Sequence, residues 1–377
     1  MSEMLAYLSH AQIPSRSANS VHVMKMCDGF VQAGYAVTLV TRQGSDGHGL
    51  TPAAFYGTSP DVRLEFVAEH PTPLGRILFS WTGALRSFRA RASWAFGRDL
   101  AGCYFAGLLG LPVAYETHSP ASLLRGAKRI MFERLIGSAR FQQLVVITDT
   151  LKTSYEQEFR LAAERILVLP DAASEPTTNV RAADVPTLPE SGRLSVGYVG
   201  HLYSGKGMEI IAALAPSCDW AEFHVVGGRD EDIRFWKDHC GGQQNIRFHG
   251  FVPHGQLGTY LVGFDVVVAP LQERVTVEGK GDISTFTSPL KLFEYMAARK
   301  AIVCSDLPVL HEILQHNENC IFVPPADIGA WRAALLCLRD DPDLRMRLAE
   351  NACRDFHHRY TWRARADRVL AALGSRS

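Results

Sequence analysis

Short runs of apolar residues, many of them rich in Val, Ile and Leu, recur along the chain, and most gaps between them can hold one helix. The first runs are residues 4–8, 36–40, 62–66, 113–116 and 144–148. A helical pattern over 19–33, stopped by Gly34, separates the first two. Unbroken apolar runs suit strands buried on both faces, and strands alternating with helices build parallel sheets covered on both sides. At 171–192 the texture changes to DAASEPTTNVRAADVPTLPESG, with three prolines and little apolar periodicity, which reads as a linker. Alternation then resumes, with strands expected at 194–198, 222–226, 246–248, 265–269, 301–304 and 320–323. The 377 residues have room for two domains. The expectation is an α/β protein of two tandem Rossmann-like, doubly wound domains, 1–172 and 193–355, joined by a linker at 173–192. A C-terminal helix within 356–377 packs on the second domain or crosses back to the first.

Composition narrows the function. The chain balances 39 Lys+Arg against 39 Asp+Glu. Proteins that grip phosphate backbones carry a basic excess, so no nucleic acid is expected as the main partner. The eight cysteines include no C-x-x-C pair, and no His/Cys/Asp/Glu cluster has metal-site spacing. Asp230-Glu231-Asp232 has the D-x-D form of metal-binding transferases, but it follows Gly227-Gly228-Arg229 after a strand and reads as a helix cap. The opening residues have neither a basic n-region nor a long apolar h-region, and the longest uncharged run, 100–115, is too short to span a bilayer. A cytoplasmic setting with reduced thiols is expected.

Two segments could carry chemistry. Gly200-His201-Leu202-Tyr203-Ser204-Gly205-Lys206-Gly207 follows a strand and opens a helix. Glycines let a ligand approach the backbone, a helix N-terminus presents unpaired N–H groups, and Lys206 adds a charge, which together suit a phosphate. The G-x-x-x-x-G-K spacing matches a P-loop, but Gly207 stands where that motif needs Ser or Thr. The plainer alternative is a glycine-rich turn with a surface lysine. The second segment, residues 284–312, is STFTSPLKLFEYMAARKAIVCSDLPVLHE. Pro289 suits the first helical position, with Ser288 as N-cap. Thr287, Ser288 and the Leu290 N–H face an anion in this reading, and Glu294 can accept hydrogen bonds from a ribose diol. The alternative is a capped amphipathic helix with Glu294 solvated.

In order and spacing these segments resemble the C-terminal nucleotide-sugar domain of retaining GT-B glycosyltransferases of family 4. Residues 13–41 resemble that family's opening loop, helix and strand, Tyr115-Glu116-Thr117-His118 its strand-end histidine, and 166–171 (ILVLPD) its pre-linker strand. The resemblance implies two domains facing a cleft, a nucleotide-diphosphate sugar as donor, and neither cofactor nor metal. It implies sugar transfer with retention to a glycan, lipid-linked or small-molecule acceptor, as in cell-surface polysaccharide assembly. Lys206 would hold the diphosphate, and Glu294 the ribose. Gly200, Gly205, Thr287, Ser288, Pro289 and Leu290 would line the phosphates and sugar. Gly228, Arg229, Phe251 and Val252 would meet the nucleotide through their backbone. His118 would lie near the transferred sugar, and Ser15, Arg16, Ser17 and Asn19 near the acceptor. Catalysis would rest on His118, Lys206 and Glu294 through positioning and leaving-group stabilisation. Taken alone, His118 reads more readily as a packed turn residue, and the 15–20 loop as simple capping by Asn19.

The chain departs from the family pattern at two positions. His201 stands where many members place an Arg on the diphosphate. Phe286 stands where the first glutamate of the E-x7-E motif contacts the sugar, and Glu278 or Asp282 on the preceding loop could replace it. Phe286 motivates one rival reading, a non-catalytic sugar-nucleotide-binding subunit or sensor. The other rival is a nucleotide-sugar epimerase on a similar scaffold.

Residues 74–98 hint at a partner. They hold Arg76, Arg86, Arg89, Arg91 and Arg98, no acid, and interleaved Phe79, Trp81, Phe88, Trp94 and Phe96. That mixture suits an interfacial helix on an anionic membrane, peripheral on the inner face, or an ordinary helix with a basic solvated side. Residues 1–172 hold 17 Lys+Arg and 14 Asp+Glu, so the basic excess lies in this half.

Overall fold

The computed structural model describes residues 3–47, 49–176, 192–274 and 284–374, with the backbone of 276–277 and 281–282. Most of the expected linker, 177–191, lies outside the described residues, as do Glu278 and the side chain of Asp282. The chain divides into two compact units, Met1–Asp171 with Thr361–Ser377, and Ala172–Tyr360.

The first unit is a parallel seven-stranded sheet: β1 (Met4–Ile13), β2 (Ala36–Gln43), β3 (Arg63–Phe66), β4 (Trp94–Gly97), β5 (Val113–Thr117), β6 (Phe141–Val146) and β7 (Ile166–Val168). The order is β3-β2-β1-β4-β5-β6-β7. Leu5 pairs with Val37 on one side and Trp94 on the other. Its helices are α1 (Ala18–Gln32), α2 (Pro52–Tyr56), α3 (Pro73–Arg89), α4 (Leu100–Leu108), α5 (Ala127–Ile136) and α6 (Asp149–Phe159).

The second unit has a parallel sheet of β8 (Leu194–Val199), β9 (Ala221–Val226), β10 (Ile246–Gly250), β11 (Val266–Ala269), β14 (Ala301–Ser305) and β15 (Ile321–Val323), ordered β10-β9-β8-β11-β14-β15. A small antiparallel ribbon pairs β12 (Thr276–Val277) with β13 (Gly281–Asp282). Its helices are α7 (Met208–Leu214), α8 (Asp230–His239), α9 (Leu257–Val262), α10 (Leu290–Ala297), α11 (Ile328–Asp340) and α12 (Pro342–Arg359). Both sheets are doubly wound, and the strand order reverses beside β1 and beside β8. Ligands of such sheets gather beyond the carboxyl ends of the strands at that reversal.

Local chemistry explains where the expected boundaries move. Ser17 caps α1, accepting from Ser20 N, so Asn19 sits inside the helix and does not cap it. In α10, Pro289 has a helix-compatible φ of −73° but an extended ψ of 115°. The helix therefore starts at Leu290, one residue later than expected, with Pro289 rather than Ser288 in the cap position. Asp232 accepts from the Arg229 N–H at 3.3 Å, so the D-x-D tripeptide is the acidic first turn of α8. Residues 356–359 finish α12 in the second unit; the C-terminal helix α13 (Trp362–Gly374) belongs to the first. Gly29 of α1 permits that docking, since a Cβ there would lie 2.5 Å from the Trp362 carbonyl oxygen.

The Arg/aromatic stretch is not one helix. α3 ends at Arg89, the chain turns through Arg91 at φ +59°, and β4 follows. Trp94 and Phe96 are buried in this central strand, and Phe79 is buried under α3. Leu74, Ile77, Leu78, Trp81 and Phe88 remain exposed on α3. Among the described residues, no helix is long and apolar enough to cross a membrane.

Candidate functional site

The candidate donor site of the second unit starts where β8 ends. Gly207 precedes α7 at φ +104°, and a Cβ there would lie 2.3 Å from the Pro270 carbonyl oxygen. Only glycine suits both constraints. The turn holds Lys206 with its Nζ 5.3 Å from the centroid of the Tyr203 ring and no ion-pair partner among the described residues. Burial pushes its ammonium down to about 8 from the ordinary 10.5. The backbone at this turn is already occupied. Gly205 N and Gly207 N donate to the Glu209 carboxylate at 3.1 and 3.2 Å. Glu209 thus satisfies donors that the motif alone would leave for a phosphate.

A second amine compensates. Lys291, in the first turn of α10, places Nζ 3.8 Å from the centroid of the Tyr198 ring, buried and without a hydrogen-bond partner. Burial, then the charge of Lys206, holds it well below the ordinary lysine range. A Cβ on Gly200 would come within 3.0 Å of this Nζ, so glycine keeps the space open. His201 is no second cation at neutral pH. Burial, then Lys206, Lys291 and Arg229, bring it down to about 4. Two desolvated amines beside a helix start form a site that an anion would satisfy, because a buried unpaired charge is costly.

Glu294 lies one turn further along α10. Its Oε1 is 2.5 Å from His254 Nε2, and its side chain is 11% exposed, so it is not a solvated surface residue. His254 Nδ1 is buried without a partner. Phe286 is buried. Thr287 is half-buried and Ser288 buried, just before α10. Gly228, at φ +84°, leads to Arg229, whose side chain is exposed and pairs with Glu231 at 3.4 Å. Phe251 and Val252 follow β10 half-buried, and Val252 packs on the core.

His118 follows β5 in the first unit and belongs to a buried polar network. Its Nε2 is 2.7 Å from Glu116 Oε1. Burial, then the Arg98 charge, lowers His118 to about 3 against the opposing pull of Glu116, so the ring is neutral near pH 7. Burial alone would raise the Glu116 carboxyl, but Arg365 and His22 hold it well below the ordinary range. His22 Nδ1 is 2.7 Å from Asp171 Oδ1, and its Nε2 lies 2.8 Å from Glu116 Oε1 without hydrogen-bond alignment. His22, His118 and Asp171 have potential ligand atoms within 4.8 Å of one another. Arg365 already balances charge there, so the group reads as a closed network. The 15–19 segment is tied down. Tyr56 Oη accepts from Ser15 N at 2.6 Å and donates to Ser15 O at 2.9 Å, and Arg16 N donates to Asp46 at 3.1 Å. Asn19 is exposed.

Sequence reasoning passed over Lys291, Glu209, His254 and Arg365. Lys291 was in view within the SPLK segment. His254 and Arg365 stand in no local motif, since they reach partners 40 and 249 residues away.

Residues 193–341 match the family model of the group 1 glycosyl transferases. An alpha-D-kanosaminyltransferase of Streptomyces kanamyceticus is 24% identical over 65% of this chain and 66% of its own length. A phosphatidyl-myo-inositol mannosyltransferase of Mycolicibacterium smegmatis is 29% identical over 48% of this chain and 45% of its own length. Neither alignment reaches two thirds of the relative. The crystal structure of Anabaena HepE in complex with UDP and glucose superposes with TM-score 0.74 at 14% identity, over 98% of this chain and 99% of that one. That match shows the fold, and the family match falls on the unit that carries Lys206, Lys291 and Glu294. The match to the group 1 glycosyl transferases thus covers the second unit, and the chain as a whole has the GT-B fold.

Proposed function

We propose that the protein is a retaining glycosyltransferase that takes a nucleotide-diphosphate sugar on its second unit. The observation that carries this reading is the pair of desolvated, anion-free amines, Lys206 and Lys291, beside the start of α10. A diphosphate would supply the missing countercharge without a metal ion. Glu294, released from His254 or sharing it, would accept hydrogen bonds from the ribose. As the glycosidic bond to phosphate breaks, negative charge grows on the leaving diphosphate, and the two lysines stabilise it there. His118 would meet a hydroxyl of the transferred sugar, and the leaving phosphate would take the acceptor's proton. HepE, with UDP and glucose bound, supports the donor class. The test is calorimetry of the full chain with UDP, GDP, ADP and their sugars in EDTA. Binding of one nucleotide sugar supports the reading; heat with none of them overturns it.

The acceptor in this proposal is a glycan or lipid-linked oligosaccharide, used at a membrane surface. The exposed apolar side of α3, with Arg76, Arg86, Arg89 and Arg91 also exposed, favours an anionic lipid surface. Flotation with phosphatidylglycerol vesicles should carry the protein at low salt and release it at high salt. No flotation at low salt would remove the membrane from the proposal.

A further inference from the structure

Arg365 lies on α13, far in sequence from every motif, yet it is 2% exposed and all five of its N–H donors have acceptors. Nε donates to Pro170 O at 3.0 Å. One terminal nitrogen donates to Glu116 Oε1 at 2.9 Å and Leu169 O at 3.2 Å. The other reaches Glu116 Oε2 at 3.4 Å and Met26 Sδ at 3.0 Å. Glu116 is 0% exposed, at the end of β5, and the oxygen that Arg365 grips also faces His118 Nε2. A guanidinium forked onto a buried carboxylate keeps that carboxylate ionised and fixes its plane. An ionised carboxylate can only accept, so His118 must present Nε2–H to it. His118 Nδ1 then remains unprotonated, with no hydrogen bond among the described residues.

We infer that Arg365 is a positioning residue that, through Glu116, locks His118 in its Nε2–H tautomer and so presents Nδ1 as an uncharged hydrogen-bond acceptor for a sugar hydroxyl. Of the charged and titratable groups around the ring, Glu116 and Asp171, the latter paired to His22, favour a second proton on His118, but burial, Arg98 and His22 oppose it and prevail. An acceptor nitrogen selects a hydroxyl donor over a carboxylate or phosphate substituent at that point of the sugar. The contact to sugar rests on the function proposed above; the tautomer does not.

The test is nitrogen-15 NMR of histidine-labelled full-length protein, with the His118 signals assigned by loss in His118→Gln. In the wild type, Nε2 should be the protonated nitrogen and Nδ1 the unprotonated one. Glu116→Gln can turn its amide toward the ring, and Nδ1–H should become the major form. Arg365→Met should move the same way, while Arg365→Lys, which keeps the charge, should retain the wild-type tautomer. If Arg365→Met does not fold, Glu116→Gln decides alone. A wild-type tautomer in every folded variant would reduce Arg365 to a structural clamp and overturn the inference, whether or not the protein transfers sugar. If it does, Arg365→Met should lower kcat by about tenfold, one hydrogen bond's worth, with donor KM nearly unchanged.

Discussion

Replacing Lys206 by Met should make the protein more stable and a poorer donor binder at once. Burial lowers the Lys206 ammonium to about 8 from 10.5, so the folded state holds this charge at a cost. Reduced for its partial exposure, that cost is on the order of 2 kcal/mol. The sign follows from linkage. A lysine whose folded value lies below its unfolded one destabilises the fold fully below about pH 8, and the penalty fades as pH rises toward 10.5. Met keeps most of the volume and removes the charge. At pH 7, calorimetric unfolding should shift upward by roughly 4–8 °C, at about 2–4 °C per kcal/mol for a unit of this size. A diphosphate that supplies the countercharge loses a charge-assisted contact worth roughly 1.5–3 kcal/mol, so its affinity should fall by about 10–100-fold. In the wild type the same logic makes binding take up a proton above about pH 8, so affinity should decline there by up to about tenfold per pH unit. The variant should lose the part of that dependence that Lys206 carries. Unchanged affinity, or a loss of stability with affinity intact, would refute the assignment of Lys206 as a desolvated phosphate ligand.

The other expectations concern separate parts of the molecule. Glu294→Gln should bind the nucleotide more weakly, and the penalty for a ribose lacking its hydroxyls should shrink from about tenfold in the wild type to near none, as a double cycle by calorimetry would read. Gly207→Ala forces a side chain into φ +104° and against the Pro270 carbonyl, so urea unfolding should show a loss of at least 1–2 kcal/mol, on the order of the left-handed strain alone. Glu116 and Asp171 are both held below the ordinary carboxylate range, against their own burial, by Arg365 and His22. Their contribution to stability is therefore complete above about pH 4–5 and drains away as pH falls below it. Glu116→Gln should flatten that acid limb in a pH series of unfolding curves.

The alternation of apolar runs revealed two parallel sheets because it is a local signal: strands buried on both faces must be apolar throughout. β4 escaped because its four residues sit behind arginines and aromatics that read as one amphipathic stretch. The glycine-rich turn from Gly200 to Gly207 was legible as a turn, since positive φ and close approach demand glycine. Its occupation by Glu209 was not, because a carboxylate two residues past Gly207 reads equally well as a solvated first-turn acid. The buried contacts of His254 with Glu294 and of Arg365 with Glu116 depend on which residues the sheet brings together. No spacing within a single segment encodes them.

The central claim is sugar transfer from a nucleotide donor, and its most direct test is product analysis. The full-length protein is incubated with the nucleotide sugar that binds most tightly, alone and with glycan and lipid-linked acceptors. Proton NMR then follows the anomeric coupling, and chromatography the free nucleoside diphosphate. The account predicts release of the diphosphate with the donor's anomeric configuration kept in the product, abolished in Lys206→Met. Tight binding with no diphosphate released from any donor would make the protein a sugar-nucleotide sensor, and an inverted anomer would contradict the retaining chemistry.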